Sequence, residues 1–278
     1  MVADPSNTAV CDSNFVGTLE SIFSVSAWGV RIAFRVPTAL LAELPEPIVP
    51  GAVFDDQGPA DAVLSVQVNH PAEGDPVYEI TEDGVVFTHE TSLRGAAEAV
   101  ESWAQLTVAT LAKGLIFVHA GVVGWRDRAI VVPGRSLSGK STLVLALVEA
   151  GADYYSDEYA IFDPNGTVHP YWRLPKLRAA SGHKVASRLP GGILSGPPPI
   201  PIPLGWVLIS RYEAEGRWQP RRLTCGETLL GLLDNAVPLR SRPEQSIRTL
   251  AKAIANAQGF EGPRGEAEDF AQQALVLL

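Results

Sequence analysis

A chain of 278 residues, 46% of them hydrophobic, is long enough to bury one large core or two modest ones, and two domains are expected. Its 31 acidic and 22 basic side chains leave a formal net charge of −9, which excludes a general nucleic-acid partner and an anionic membrane surface, because nothing would neutralise the phosphates. Cys11 and Cys225 lie far apart without C-x-x-C spacing, which excludes a disulfide framework and a zinc site. The opening Met1-Val2-Ala3-Asp4-Pro5 lacks the cationic start and apolar stretch of a signal peptide, and no segment approaches the ~20 apolar residues of a membrane helix. A soluble, cytoplasmic protein is expected.

Residues 1–95 read as a smaller, β-rich α+β domain. Ser24 to Phe34 and Ala62 to Val68 have strand character, and Pro37, Pro45, Pro47 and Pro50 interrupt the interval between them. Val77 to Ile80 and Val85 to Thr88 flank Glu82-Asp83-Gly84 and predict a hairpin. This region carries no catalytic signature. Ala97 to Ala112 repeats at helical spacing through Ala97, Val100, Ala104, Leu106, Val108 and Leu111, with Gly114 as its stop. Residues 96–114 are therefore expected to bridge the N-terminal domain to a second one spanning 115–278.

That second domain opens on the apolar run Leu115 to Val123, which Trp125-Arg126-Asp127-Arg128 turns into the strand Ala129 to Val132. Next comes a complete G-x-x-x-x-G-K-[ST] loop: Gly134, Arg135, Ser136, Leu137, Ser138, Gly139, Lys140 and Ser141. Thr142 to Val148 continues from it as a buried helix. A strand before and a helix after form the context in which this pattern binds nucleoside triphosphates. The glycines let the loop wrap with its N–H groups inward, the helix N-terminus adds partial positive charge, Lys140 reaches the β- and γ-phosphates, and the Ser141 hydroxyl suits Mg²⁺. ATP and Mg²⁺ are the expected cofactors.

After Gly151-Ala152, a strand over Asp153 to Asp163 is interrupted by the adjacent acids Asp157 and Glu158 and closed by Asn165-Gly166. The spacing puts two carboxylates on the neighbouring strand, near where a γ-phosphate would sit. One can orient a nucleophilic hydroxyl while the other serves the metal. His119 ends an apolar run whose strand is expected beside the loop's strand, so its imidazole could reach Asp157. The Gly-, Ser- and Pro-rich stretch 179–205 reads as a long exposed loop, either a linker or a substrate-covering flap. Trp206 to Ser210 returns as a strand, and Gly226 to Leu233, Glu244 to Gln258 and Glu266 to Leu277 are helical. Arg173, Lys176, Arg178 and Arg211 are candidates for a cation that stabilises a phosphoryl transition state.

His119-Ala120-Gly121, the loop 134–141 and Ser156-Asp157-Glu158 resemble, in order and spacing, the His-Gly, phosphate-loop and Asp-Asp segments of bacterial HPr kinase/phosphorylase, and more closely its HPr kinase-like relatives. The resemblance covers about 115–180 well and the rest by layout. It belongs to a superfamily shared with ATP-type phosphoenolpyruvate carboxykinases. The resemblance implies an α/β fold with a C-terminal P-loop nucleotide domain, and ATP-dependent transfer of a phosphoryl group to a serine-type hydroxyl of a protein, peptide or small molecule. It also implies Asp157 as the catalytic carboxylate with His119 its partner, Lys140 on the phosphates, Ser141 and Glu158 as metal contacts, and Gly134 to Thr142 as the phosphate cradle. The ring assemblies common in the family imply a homo-oligomer. Its Glu-[IL]-Arg-Gly-x-Gly segment has no counterpart here, where Trp172 to Arg178 and the Pro-rich stretch stand, so HPr recognition and phosphorolysis are not carried over. A non-catalytic ATP-binding regulator and a carboxykinase-like phosphotransferase are the alternatives, the latter without its second metal constellation of Lys and His.

Overall fold

The computed structural model describes residues 19–72, 74–134, 139–178, 184–186 and 199–278. Within them the chain is a mixed α/β protein with two large sheets and six α-helices. It starts with β1 (Glu20–Ala27) and β2 (Val30–Pro37), antiparallel and joined at Trp28-Gly29, where φ is +54° and +74°. Successive left-handed residues make the tight hairpin whose twist matches the flanking strands. Alternation over Ser24 to Phe34 predicts one strand, and the structure has two, because Trp28 takes a backbone conformation rare for its type. Its indole explains why: Nε1 donates to the Pro50 carbonyl at 2.9 Å and the ring packs edge-on to Phe117.

The N-terminal sheet continues through α1 (Thr38–Leu41), β3 (Val53–Phe54), β4 (Ala62–Asn69), β5 (Val77–Glu82) and β6 (Val85–Glu90). The strand order is β3-β1-β2-β4-β5-β6, with β2 and β4 parallel and the other pairs antiparallel. The hairpin expected at Asp83-Gly84 joins β5 to β6. Helix α2 (Leu93–Leu111) starts on Ser92, whose hydroxyl accepts the Gly95 N–H at 3.0 Å. Its apolar stripe of Ala97, Val100, Ala104 and Val108 is buried, while Leu106 and Leu111 are turned outward.

The second sheet is built from β7 (Ile116–Trp125), β8 (Arg128–Pro133), α3 (Lys140–Glu149), β9 (Asp153–Ser156), β10 (Tyr159–Phe162) and β11 (Thr167–His169). A separate ribbon of β12 (Lys176–Arg178) and β13 (Lys184–Ala186) follows, then β14 (Ile202–Tyr212), β15 (Arg221–Leu223) and α4 (Cys225–Leu233). A 3₁₀ turn at Val237–Leu239 leads to α5 (Pro243–Ile254), β16 (Gln258–Arg264) and α6 (Ala267–Leu277). Of the expected loop 179–205, residues 179–183 and 187–198 lie outside the described residues, as do Arg135, Ser136, Leu137 and Ser138 of the phosphate-loop pattern.

Strand order runs β11-β10-β7-β8-β14-β16-β15, with β9 beside the second half of β7 and β11 also paired to β14. β8, β14 and β16 are parallel neighbours, so their carboxyl ends share the edge at which the loop leaves β8. In sheets of this kind, ligands sit outside those ends. Alternate residues face opposite layers. Ile130, Val132 and Leu208 pack with Leu143 and Leu147 of α3 and Phe270 of α6. Val131 and Val207 pack with Leu232 of α4 and Leu250 of α5.

A third cluster joins the two halves. Ile32, Phe34 and Leu64 of the first sheet meet Val100 and Trp103 of α2, and these meet Phe117, Tyr159 and Ile161 of the second. Helix α2 is thus wedged between the sheets rather than strung between separate bodies. No helix among the described residues is long and apolar enough to cross a membrane.

Candidate functional site

Gly134 anchors the start of the loop, its N–H donating to the His119 carbonyl on β7 at 3.2 Å. At the other end Gly139 caps α3 with φ +81°, a conformation that favours glycine. A Cβ at this position would stand 2.9 Å from Arg264 Nη2, so the guanidinium would have to shift to admit a side chain. Lys140 is the first residue of α3 and is only 8% exposed. Ser141 follows in the first turn, and Thr142 turns outward.

The strand expected over Asp153 to Asp163 is two strands, split by the carboxylates. β9 pairs with Val122 to Gly124 of β7 and β10 with Ile116 to His119, so the chain must step across between them. The Ser156 hydroxyl shapes that step by accepting the Glu158 and Tyr159 N–H groups at 3.1 and 3.0 Å. Asp157 lies in the break, 3% exposed. Its Oδ2 accepts the Ser141 hydroxyl at 2.9 Å.

On the other side of Asp157, the Tyr154 hydroxyl is 3.4 Å from Oδ1 and donates to the Arg173 carbonyl at 2.8 Å. Burial first, and the Asp157 charge second, push the Tyr154 phenol well above its ordinary range, so it remains a proton donor. Arg173 Nε stands 3.8 Å from Asp157 Oδ1. Burial works to lower the Arg173 pKa, but the charges of Asp157, Glu158 and Glu101 outweigh it and hold the guanidinium above its ordinary value.

Glu158 turns the opposite way from the Ser141–Asp157 pair. Its Oε1 is 3.7 Å from His119 Nδ1, and the imidazole packs against the Tyr159 ring at a tilt of 32° with centroids 4.7 Å apart. Cross-strand pairing of Tyr159 with His119 fixes this arrangement. The sequence pattern points His119 at Asp157; the structure sets it against Glu158, with the Ser141 hydroxyl on Asp157.

Of the four cations singled out by sequence, Arg173 reaches the carboxylates, whereas Arg211 is exposed and paired with Glu213 at 2.9 Å. Lys176 and Arg178 lie on β12, with side chains outside the described ones. Sequence reasoning missed Arg264, at the carboxyl end of β16. It is 6% exposed, lies against the loop at Gly139, and sits over the Tyr212 ring at 5.2 Å. Burial lowers its pKa, with Glu266 and Tyr212 opposing. Its signal was hidden in Gly-Pro-Arg, which reads as loop.

Among the described residues no group of three or more His, Cys, Asp or Glu could hold a metal by itself. The donors brought together are hard oxygens, the Ser141 hydroxyl and the Asp157 carboxylate. That set fits Mg²⁺, which is bound through one or two carboxylates together with substrate phosphates and waters. No protein-family model and no curated protein matches this chain.

Proposed function

We propose that this chain is an ATP- and Mg²⁺-dependent phosphotransferase of the HPr kinase-like type, which moves the γ-phosphoryl group to a serine-type hydroxyl of a protein, peptide or small molecule. The single observation that carries this reading is the hydrogen bond from the Ser141 hydroxyl, in the first turn after the loop, to Asp157 at the end of the adjacent strand. A helix-start hydroxyl sharing a buried carboxylate is the arrangement that holds Mg²⁺ against β- and γ-phosphates in phosphate-loop enzymes.

In this reading the loop amides and Lys140 bind the phosphates, and Ser141 and Asp157 take the metal. Bound Mg²⁺ neutralises charge on the phosphates. Glu158, paired with His119 and more open to solvent than Asp157, orients the acceptor hydroxyl and accepts its proton. This reverses the two acids relative to the assignment that the family resemblance implies. Phosphoryl transfer has a loose transition state, so positioning and electrostatics carry the catalysis and the proton moves late.

The test is transfer of label from γ-labelled ATP to a panel of serine peptides and small alcohols. Transfer that needs Mg²⁺ and disappears in Lys140→Ala is the expected result. ATP retained unchanged with every acceptor would contradict the reading and leave a nucleotide-binding regulator.

A further inference from the structure

Glu101 and Gln105 lie one turn apart on α2, 8% and 5% exposed, in a helix whose buried face is otherwise largely apolar. Polar groups this deep are kept where they are satisfied. Gln105 Nε2 donates to Glu101 Oε1 at 3.0 Å, and Gln105 Oε1 accepts from Arg173 Nη1 at 2.8 Å. The same Nη1 is 3.9 Å from Glu101 Oε1, while the Nε of that guanidinium faces Asp157. Arg173 therefore connects the bridging helix α2 to the carboxylate that shares the Ser141 hydroxyl.

Such a buried ionic group adds little to stability compared with apolar residues of the same volume. Its location is the informative part. Asp157 is held from two directions, by Ser141 on Oδ2 and by Tyr154 and Arg173 at Oδ1, so its carboxylate plane is fixed before any ligand arrives. We infer that Glu101, Gln105 and Arg173 are positioning residues: a supporting shell, supplied in part by the bridging helix, that aims Asp157 at Ser141 and at Mg²⁺. The inference rests on the Mg·ATP reading above, and it makes the bridging helix α2 part of the support of the site.

The test compares ATP affinity in Mg²⁺ with ATP affinity in EDTA, by titration calorimetry on the full chain. The EDTA arm reports the loop and Lys140, and the ratio of the two reports the metal site. Arg173→Lys keeps the charge and loses the planar fork, and Gln105→Leu removes the acceptor that fixes Nη1. Each is expected to lose about tenfold of the Mg²⁺-dependent gain and to change ATP affinity in EDTA by less than about twofold, because partners behind a metal ligand set metal affinity at the 10–100-fold level. Glu101→Gln, which keeps the shape and one acceptor oxygen, serves as the third variant should either fail to fold. Folded variants with the full Mg²⁺ gain would overturn the inference and leave the group a structural clamp. A wild-type protein whose ATP affinity ignores Mg²⁺ would instead overturn the reading beneath it.

Discussion

Asp157 and Glu158 are chemically alike and adjacent, yet the fold sends them to different neighbours, and that separates their expected roles. Asp157→Asn keeps the shape but removes the negative charge that accepts the Ser141 hydroxyl and that, in the proposed reading, would face Mg²⁺. Mg²⁺-dependent ATP affinity should fall by about tenfold or more. Glu158→Gln leaves that affinity near wild type and lowers kcat on the order of 10²-fold, the range of a lost general base. Steady-state kinetics with varied Mg²⁺ separates the two. If instead Asp157→Asn spares Mg²⁺ affinity and Glu158→Gln abolishes it, the roles of the acids are those the family resemblance implies. The proximity of Ser141, the paired acids and His119 was legible in the sequence because each belongs to a local motif on neighbouring elements. Arg173's hold on Gln105 was not legible, since the two are separated by 68 positions and neither belongs to a pattern. Arg264 was equally hidden, because its place beside Gly139 exists only once β16 has been laid next to β14.

At the scale of elements, periodic segments were readable and backbone-driven ones were not. α2, the Asp83-Gly84 hairpin, strand β8 and helix α3 follow from spacing and turn chemistry. β16 contradicts the helix expected to run to Gln258. Its sequence Gln-Gly-Phe-Glu-Gly-Pro-Arg looks like a loop, but Gly259 is there because a side chain would overlap Thr228 of α4, which packs directly on the strand. Gly259→Ala should therefore destabilise the protein by about 1–3 kcal/mol through overpacking, read from denaturant unfolding. An unchanged midpoint would mean that α4 can move aside. Helix α4 also carries a reciprocal cap, Thr224 with Glu227. The Thr224 backbone N–H, then Arg221 and the Thr224 hydroxyl, depress the Glu227 pKa from 4.5 to about 2. A depressed carboxylate stabilises the fold above its unfolded pKa, and this contribution fades as pH falls through the interval from 4.5 to about 2. An NMR titration of Glu227 should find its midpoint near the lower bound, and Thr224→Ala should move it upward; an ordinary midpoint in the wild type would contradict the cap.

At the scale of the molecule, the N-terminal sheet, α2 and the second sheet share one buried cluster, and Arg242 at the start of α5 donates to the Thr110 and Ala112 carbonyls at the end of α2. Unfolding should therefore be a single calorimetric transition with matching van't Hoff and calorimetric enthalpies; two resolved transitions would show that the halves melt separately. This shared core also aligns β7 and β10 of the second sheet with the helix whose Gln105 holds Arg173. Every role proposed for the site depends on a bound nucleotide. The most direct measurement is the melting temperature of the full chain with and without Mg·ATP, for the wild type and Lys140→Ala, since a ligand that binds the native state raises it by mass action. The account predicts a ligand-dependent rise in the wild type that is largely absent in a Lys140→Ala protein whose ligand-free melting temperature is otherwise near normal; equal shifts in both proteins, or none in either, would contradict it.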